Sequence, residues 1–251
     1  VGSAIYWGGA YDRLAEGHRL IVPDLLGFGR SPTPDGGYGP DDHARAVVSC
    51  LDALGAREPA LVVGHSLGSL VGLRLAATYP QRVRAVVGFG PPLYPDGATA
   101  RRLAAHTSAM ARLLVGSPFA HTVCRWVCDH RGIAARLSVW SHPLLPPPVA
   151  ADGVRHSWAS YSETLERVIL AADAQYWLED LEIPVWLVAG GSDRALDQPF
   201  LASLAARHPN VDVRTWPGRH DLPLAQPQRC LQLIAQVASQ MGDARDRRLS
   251  P

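Results

Sequence analysis

One stretch narrows the folds open to this chain more than any other. Pro59-Ala-Leu-Val-Val63 runs directly into Gly64-His-Ser-Leu-Gly68, and a mostly apolar segment continues to residue 79 before Pro80. The first part reads as a short buried strand and the last as a helix. Only a tight turn can join them, and such a turn lifts the Ser66 side chain off the end of the strand. A serine hydroxyl is a poor nucleophile until a base takes its proton, so a turn that exposes it to a base has chemical meaning. Glycines two residues to either side relieve the crowding of a strained backbone. The helix start also aims the Leu67 amide at the place where an oxyanion would form.

The rest of the chain repeats the alternation. Residues 19–23, 83–88, 184–189 and 211–216 read as further strands, and residues 41–54, 200–208 and 227–240 as helices. Short strands alternating with helices imply a three-layer α/β fold, its mainly parallel sheet covered on both faces. A chain of 251 residues suits one such core. From Pro91 to about Asp173 the alternation breaks. Residues 101–114 and 162–172 read as helical, Pro143 to Pro148 form a break, and Trp126, Trp140, Trp158 and Tyr161 fall in the same region. An insert after a strand's C-terminal end lies over the ligand edge of an α/β sheet, so it reads as a lid. The expected division is a core of residues 1–93 and 174–241, a helical lid of 94–173, and a polar, disordered tail of 242–251.

An activated serine needs a base, and the base an orienting acid, on later strand ends. The strand at 184–189 ends in Gly190-Gly-Ser-Asp193, which makes Asp193 the candidate acid and Asp197 the fallback. The strand at 211–216 ends in Pro217-Gly-Arg-His220. Of ten histidines, His220 alone follows the last strand on a loop. It is the candidate general base. Phe89, Pro91 and Pro92, just beyond the strand at 83–88, together with the lid tryptophans suggest an apolar substrate pocket.

Composition removes several function classes. A net charge of +1 supplies no field for nucleic acid. All 24 basic residues are Arg, which reads as codon bias rather than function. No apolar run is long enough to span a membrane and no leader pattern opens the sequence, so the cytoplasm is the expected compartment. Four cysteines are too scattered for a disulfide framework. Cys124 and Cys128 stand one helical turn apart, but no second ligand pair follows at zinc-site spacing, so helix packing is the expected role. Neither a metal nor an organic cofactor is expected. Nothing in the sequence speaks to oligomeric state.

These motifs also carry a family resemblance. Val22-Pro-Asp-Leu-Leu-Gly-Phe-Gly-Arg-Ser31, Gly64-His-Ser-Leu-Gly68, Pro184-Val-Trp-Leu-Val-Ala-Gly-Gly-Ser-Asp193 and Gly218-Arg-His-Asp-Leu-Pro223 resemble the α/β-hydrolase superfamily, in its lidded single-domain branch. The resemblance implies the same three side chains, Ser66, Asp193 and His220. In that family a strand ending in His-Gly precedes a Gly-Ser pair and an aromatic residue, and this sequence opens at Gly2-Ser3 with Tyr6 and Trp7 close by. The N-terminal strands are therefore expected to be missing from a truncated reading frame, and Val1 is the remaining candidate for a second oxyanion donor. The expected activity is hydrolysis of an ester- or thioester-like bond in a small hydrophobic substrate. C–C bond hydrolysis of a diketone-type substrate by the same residues is the alternative, and a non-catalytic ligand-binding member of the fold is another.

Overall fold

The computed structural model describes residues 3–105 and 119–249, with the backbone alone at 120 and 242–249. Among the described residues, β1 (Ala60–His65), β2 (Val83–Phe89), β3 (Val185–Gly190) and β4 (Val211–Trp216) pair in that spatial order, all parallel. Chain order matches spatial order, so every connection leaves from the same edge of the sheet and returns beneath it. His65 pairs with Phe89, and Gly190 with Trp216, which brings the loops after all four strands to one rim.

Period-two alternation builds both faces. On β2 the alternation runs from Ala85, after an irregularity in the pairing beside Ala60 and Leu61, so Val83 and Val86 both pack with Leu70, Leu73 and Leu75 of α2 (Leu67–Thr78). Ala85, Val87 and Phe89 point the other way, against Tyr11 and against Leu233, Ile234 and Val237 of the last helix. Residues 185–189 of β3 divide between the same two clusters. Each large aliphatic side chain taken from water contributes about 1.5–3 kcal/mol, so this two-sided burial dominates stability. Helix α1 (Pro40–Ala53) lies outside α2, with Pro40 at its first turn and Asp42 accepting from the Gly39 amide at 3.0 Å.

Between β2 and β3 the described elements are helical: α3 (Gly97–Ala104), α4 (Ala120–Asp129), α5 (Arg131–Ser141), α6 (Pro147–Asp152) and α7 (Trp158–Thr164). A single π-type turn, Leu165–Ile169, continues α7. This segment is tied to the core at Phe28, which bridges antiparallel to His156, and at Gly29, whose amide donates to the Arg155 carbonyl at 3.0 Å. Helix α8 (Gln198–Arg207) links β3 to β4, and α9 (Leu222–Ala225) precedes α10 (Pro227–Leu249).

Several expectations need correction. Residues 19–23 are not a strand. Their apolar content is real, but a strand exists only through ladder hydrogen bonds, and the free edge of β1 lies across a cavity lined by Ile21, Val22, Leu61 and Val63. The helix expected at 101–114 begins earlier, at Gly97, because Asp96 accepts from the Thr99 amide at 2.8 Å and caps it. It ends at Ala104, and the expected residues 106–114 lie outside the described residues. The last helix runs past residue 240 to Leu249, through the segment whose polarity suggests fraying. No helix among the described residues is long and apolar enough to cross a membrane.

Candidate active site

Ser66 sits between β1 and α2 with φ 52° and ψ −118°, a conformation that L side chains seldom adopt and that costs about 1–3 kcal/mol. The neighbouring bonds hold it there. The Ser66 amide donates to the Phe89 carbonyl at 2.8 Å, and its carbonyl accepts from the Ser69 amide at 2.9 Å. The fully buried Ser69 hydroxyl lies 3.1 Å from the Gly64 carbonyl and 3.2 Å from that of Phe89. A Cβ on Gly64 would lie 2.5 Å from the Ser69 nitrogen and collide with the Gly68 backbone, so the turn closes only with glycine at 64. A Cβ on Gly68 meets nothing, so its own side-chain space is not what the turn requires.

Asp193 and His220 meet from two different strand ends. His220 Nδ1 lies 2.7 Å from Asp193 Oδ2, and the other carboxylate oxygen accepts from the Ala195 amide at 2.9 Å. A carboxylate only accepts, so Nδ1 carries the proton and Nε2 keeps its lone pair. Backbone bonds stitch the two loops together: Gly191 N to Trp216 O and Ser192 N to Gly218 O, both 2.8 Å. Asp193 is buried and His220 half-buried. The imidazole packs over Gly90, next in the chain to the Phe89 carbonyl that anchors Ser66. Ser66 and His220 line one cavity of 1910 Å³, which continues under α4 and α5 past Trp126 and Leu137. The Ser66 hydroxyl holds no hydrogen bond among the described residues.

Comparison with known proteins bears on the fold and the class of enzyme. The family described as alpha/beta hydrolase fold matches residues 2–224. The chain belongs to the α/β-hydrolase family. This α/β hydrolase is 30% identical over 209 residues to a protein of Azorhizobium caulinodans named carbamate hydrolase RutD, covering 82% of this chain and 74% of that one. It is 42% identical over 85 residues to a 2-hydroxymuconate semialdehyde hydrolase of Pseudomonas sp. strain CF600, covering 34% of this chain and 30% of that protein. The crystal structure of E-2-(acetamidomethylene)succinate hydrolase superposes with a TM-score of 0.73 at 24% identity, over 94% of this chain and 87% of that one. The fold and the hydrolase class of enzyme rest on these matches.

In this α/β hydrolase the other sequence-derived candidates divide. Leu67 lines the cavity, and its amide opens α2, where no intrahelical carbonyl precedes it. Val1 lies outside the described residues. Phe89 and Pro91 do not line the cavity: the Phe89 ring packs into the core, 6.0 Å from the Trp216 ring, because strand alternation turns it away. Of the three, Pro92 alone lines the cavity. Trp126 and Tyr161 line it as well, whereas Trp140 is 83% exposed on the outer side of α5. Asp197 caps α8, accepting from the Phe200 amide at 3.0 Å.

Sequence reading passed over His65 as the variable residue of the turn. Its Nε2 donates to the His220 carbonyl at 3.0 Å, and its ring stacks on Tyr6 at 4.7 Å with an interplanar angle of 5°. Burial first, then the neighbouring His220, pulls its pKa well below the usual histidine range, so it stays neutral. The Tyr6 hydroxyl lies 3.4 Å from Asp221 Oδ1, and burial raises its pKa far above the ordinary tyrosine value. No motif signals this group, because Tyr6, His65 and Asp221 meet only in space.

Proposed function

We propose that this chain is a serine hydrolase acting on an ester- or thioester-like bond of a small hydrophobic substrate. The observation that carries the reading is the His220–Asp193 hydrogen bond beside the strained Ser66 turn, at the mouth of one largely apolar cavity. His220 Nε2 takes the Ser66 proton as the hydroxyl attacks the substrate carbonyl. The Leu67 amide stabilises the oxyanion at the start of α2. His220 then protonates the leaving group, and water activated by the same nitrogen releases the acyl group from Ser66. Asp193 fixes the tautomer and stabilises the imidazolium while remaining ionised. Residues 94–173 act as the lid over this site, their inner side chains excluding water and gripping the apolar part of the substrate. The four thiols are free, which suits a reducing compartment such as the cytoplasm.

A fluorophosphonate probe tests the nucleophile. It should label the wild-type chain and not Ser66→Ala; labelling that persists in the variant removes Ser66 from the role. The local likeness to a 2-hydroxymuconate semialdehyde hydrolase favours a second reading, C–C bond hydrolysis by the same residues. Parallel assays with p-nitrophenyl esters and vinylogous diketones separate the two.

A further inference from the structure

Cys124 and Cys128 stand one turn apart on α4, and the fold carries His156, on the segment leading into α7, up to them. The two sulfurs and one imidazole nitrogen all lie within 4.8 Å of one another. Cys124 is fully buried, His156 is 6% exposed and Cys128 is half-buried. The Cys128 thiol donates to the His156 carbonyl at 3.2 Å, so the helix and the segment already touch here. His156 Nδ1 faces the Ser157 carbonyl at 3.3 Å. A carbonyl only accepts, which puts the proton on Nδ1 and leaves the Nε2 lone pair available to a cation. No carboxylate belongs to the cluster. Two sulfurs and an imidazole are the donors of a thiophilic ion, not of magnesium or calcium.

We propose that Cys124, Cys128 and His156 form a three-ligand site for a thiophilic divalent cation, Zn²⁺ being the representative ion. Bonds of about 2.3 Å to sulfur and about 2.0 Å to nitrogen place tetrahedral ligand atoms about 3.5 Å apart. The cluster must therefore contract by about 1 Å, which side-chain rotation supplies. Binding converts two thiols to thiolates, releases two protons and leaves the fourth position to water. Asp129 and Arg131 at the junction of α4 and α5, with Tyr161 of α7, are the other ionisable groups acting on the cluster. His156 also lines the cavity that Ser66 and His220 line, so the cluster lies in the wall of that cavity. Its effect is mechanical: His156 is bridged to Phe28, so a bound ion staples α4, through that bridge, to the core loop.

The test uses the full chain, reduced and stripped of metal, titrated with Co²⁺ and then with Zn²⁺ against a chromophoric chelator. The expected result is one ion per chain, a thiolate-to-cobalt charge-transfer band, and protection of Cys128, but not Cys50, from alkylation. Losing a supporting contact at a metal site weakens binding about 10–100-fold, so losing a ligand in Cys128→Ser or His156→Gln should cost about 100-fold or more. Cys50→Ser should leave affinity unchanged. The protection experiment needs no substitution, so it holds even if a variant folds poorly. Absence of the charge-transfer band, equal alkylation with and without Zn²⁺, or binding that survives Cys128→Ser overturns the proposal.

Discussion

His220 Nδ1 and Asp193 Oδ2 lie 2.7 Å apart although 27 residues separate them in the chain, and the acid is sealed from solvent while the base reaches the cavity. Burial of the acid keeps water from competing for the bond. The half-open position of the base lets its other nitrogen meet a substrate.

This arrangement makes the Asp193 charge, not its shape, the quantity to remove. Asp193→Asn can still accept from the Ala195 amide, but it no longer selects the tautomer with the proton on Nδ1. Ester turnover should fall by about 10⁴-fold while the unfolding midpoint moves little. Steady-state kinetics paired with thermal denaturation give both numbers, and wild-type turnover in the variant would exclude Asp193 as the orienting acid.

His65 holds the backbone of His220, the proposed base, and also lines the cavity. Its Nε2–H shares the His220 carbonyl with the Leu222 amide, at 3.0 and 2.9 Å. His65→Phe keeps a ring for Tyr6 to stack on and deletes the donor. One hydrogen bond contributes about 0.5–1.5 kcal/mol, so kcat should drop by up to about tenfold with KM unchanged. A change confined to KM would mean that His65 shapes the pocket rather than the base.

Gly190 marks where the acid loop and the base loop touch. A Cβ there would run into the Arg219 carbonyl oxygen and lie 2.8 Å from that of Gly218. Both obstacles are backbone, so Gly190→Ala must push the His220 loop away from Asp193. Overpacking of this kind costs about 1–3 kcal/mol, and activity should fall further than stability. Gly132→Ala on α5, whose added methyl meets nothing and lies off the cavity, is the matched control.

Stability should depend on pH through His43. This residue is fully buried, its Nε2 bonds Thr164 of α7 at 3.0 Å, and its Nδ1 has no partner. Burial, outweighing the opposing pull of Asp42, lowers its pKa from 6.5 to about 4. The unfolded chain therefore takes up a proton below 6.5 that the folded chain refuses until about 4. Stability is undiminished above 6.5, declines through that window, and levels off below it, for a total of about 3 kcal/mol. His156, lowered to about 4 as well, adds a decline of the same sign. Urea unfolding across this range should show a shallower slope in His43→Gln by about one proton. An unaltered slope would assign the pH dependence elsewhere.

The sequence by itself determined what depends on neighbours along the chain. β1, α2 and the Ser66 turn follow from an apolar run, small residues and an apolar helix in direct succession, and β4 and α1 lie within a residue of their expected bounds. Asp193 and His220 were legible because each follows directly on a strand end. Only tertiary structure decided what depends on distant partners. Residues 19–23 have the composition of a strand, yet strand formation needs a second backbone within hydrogen-bonding reach, and composition does not supply one. Phe89 turned from pocket to core because the sheet's pleat, not its side chain's chemistry, sets the direction in which it points. His65 acquired a role from Tyr6 and from the His220 carbonyl, and His156 joined Cys124 and Cys128 across 28 residues of chain from the nearer cysteine. Periodicity constrains the face a residue presents, whereas the partner waiting on that face is fixed by packing alone.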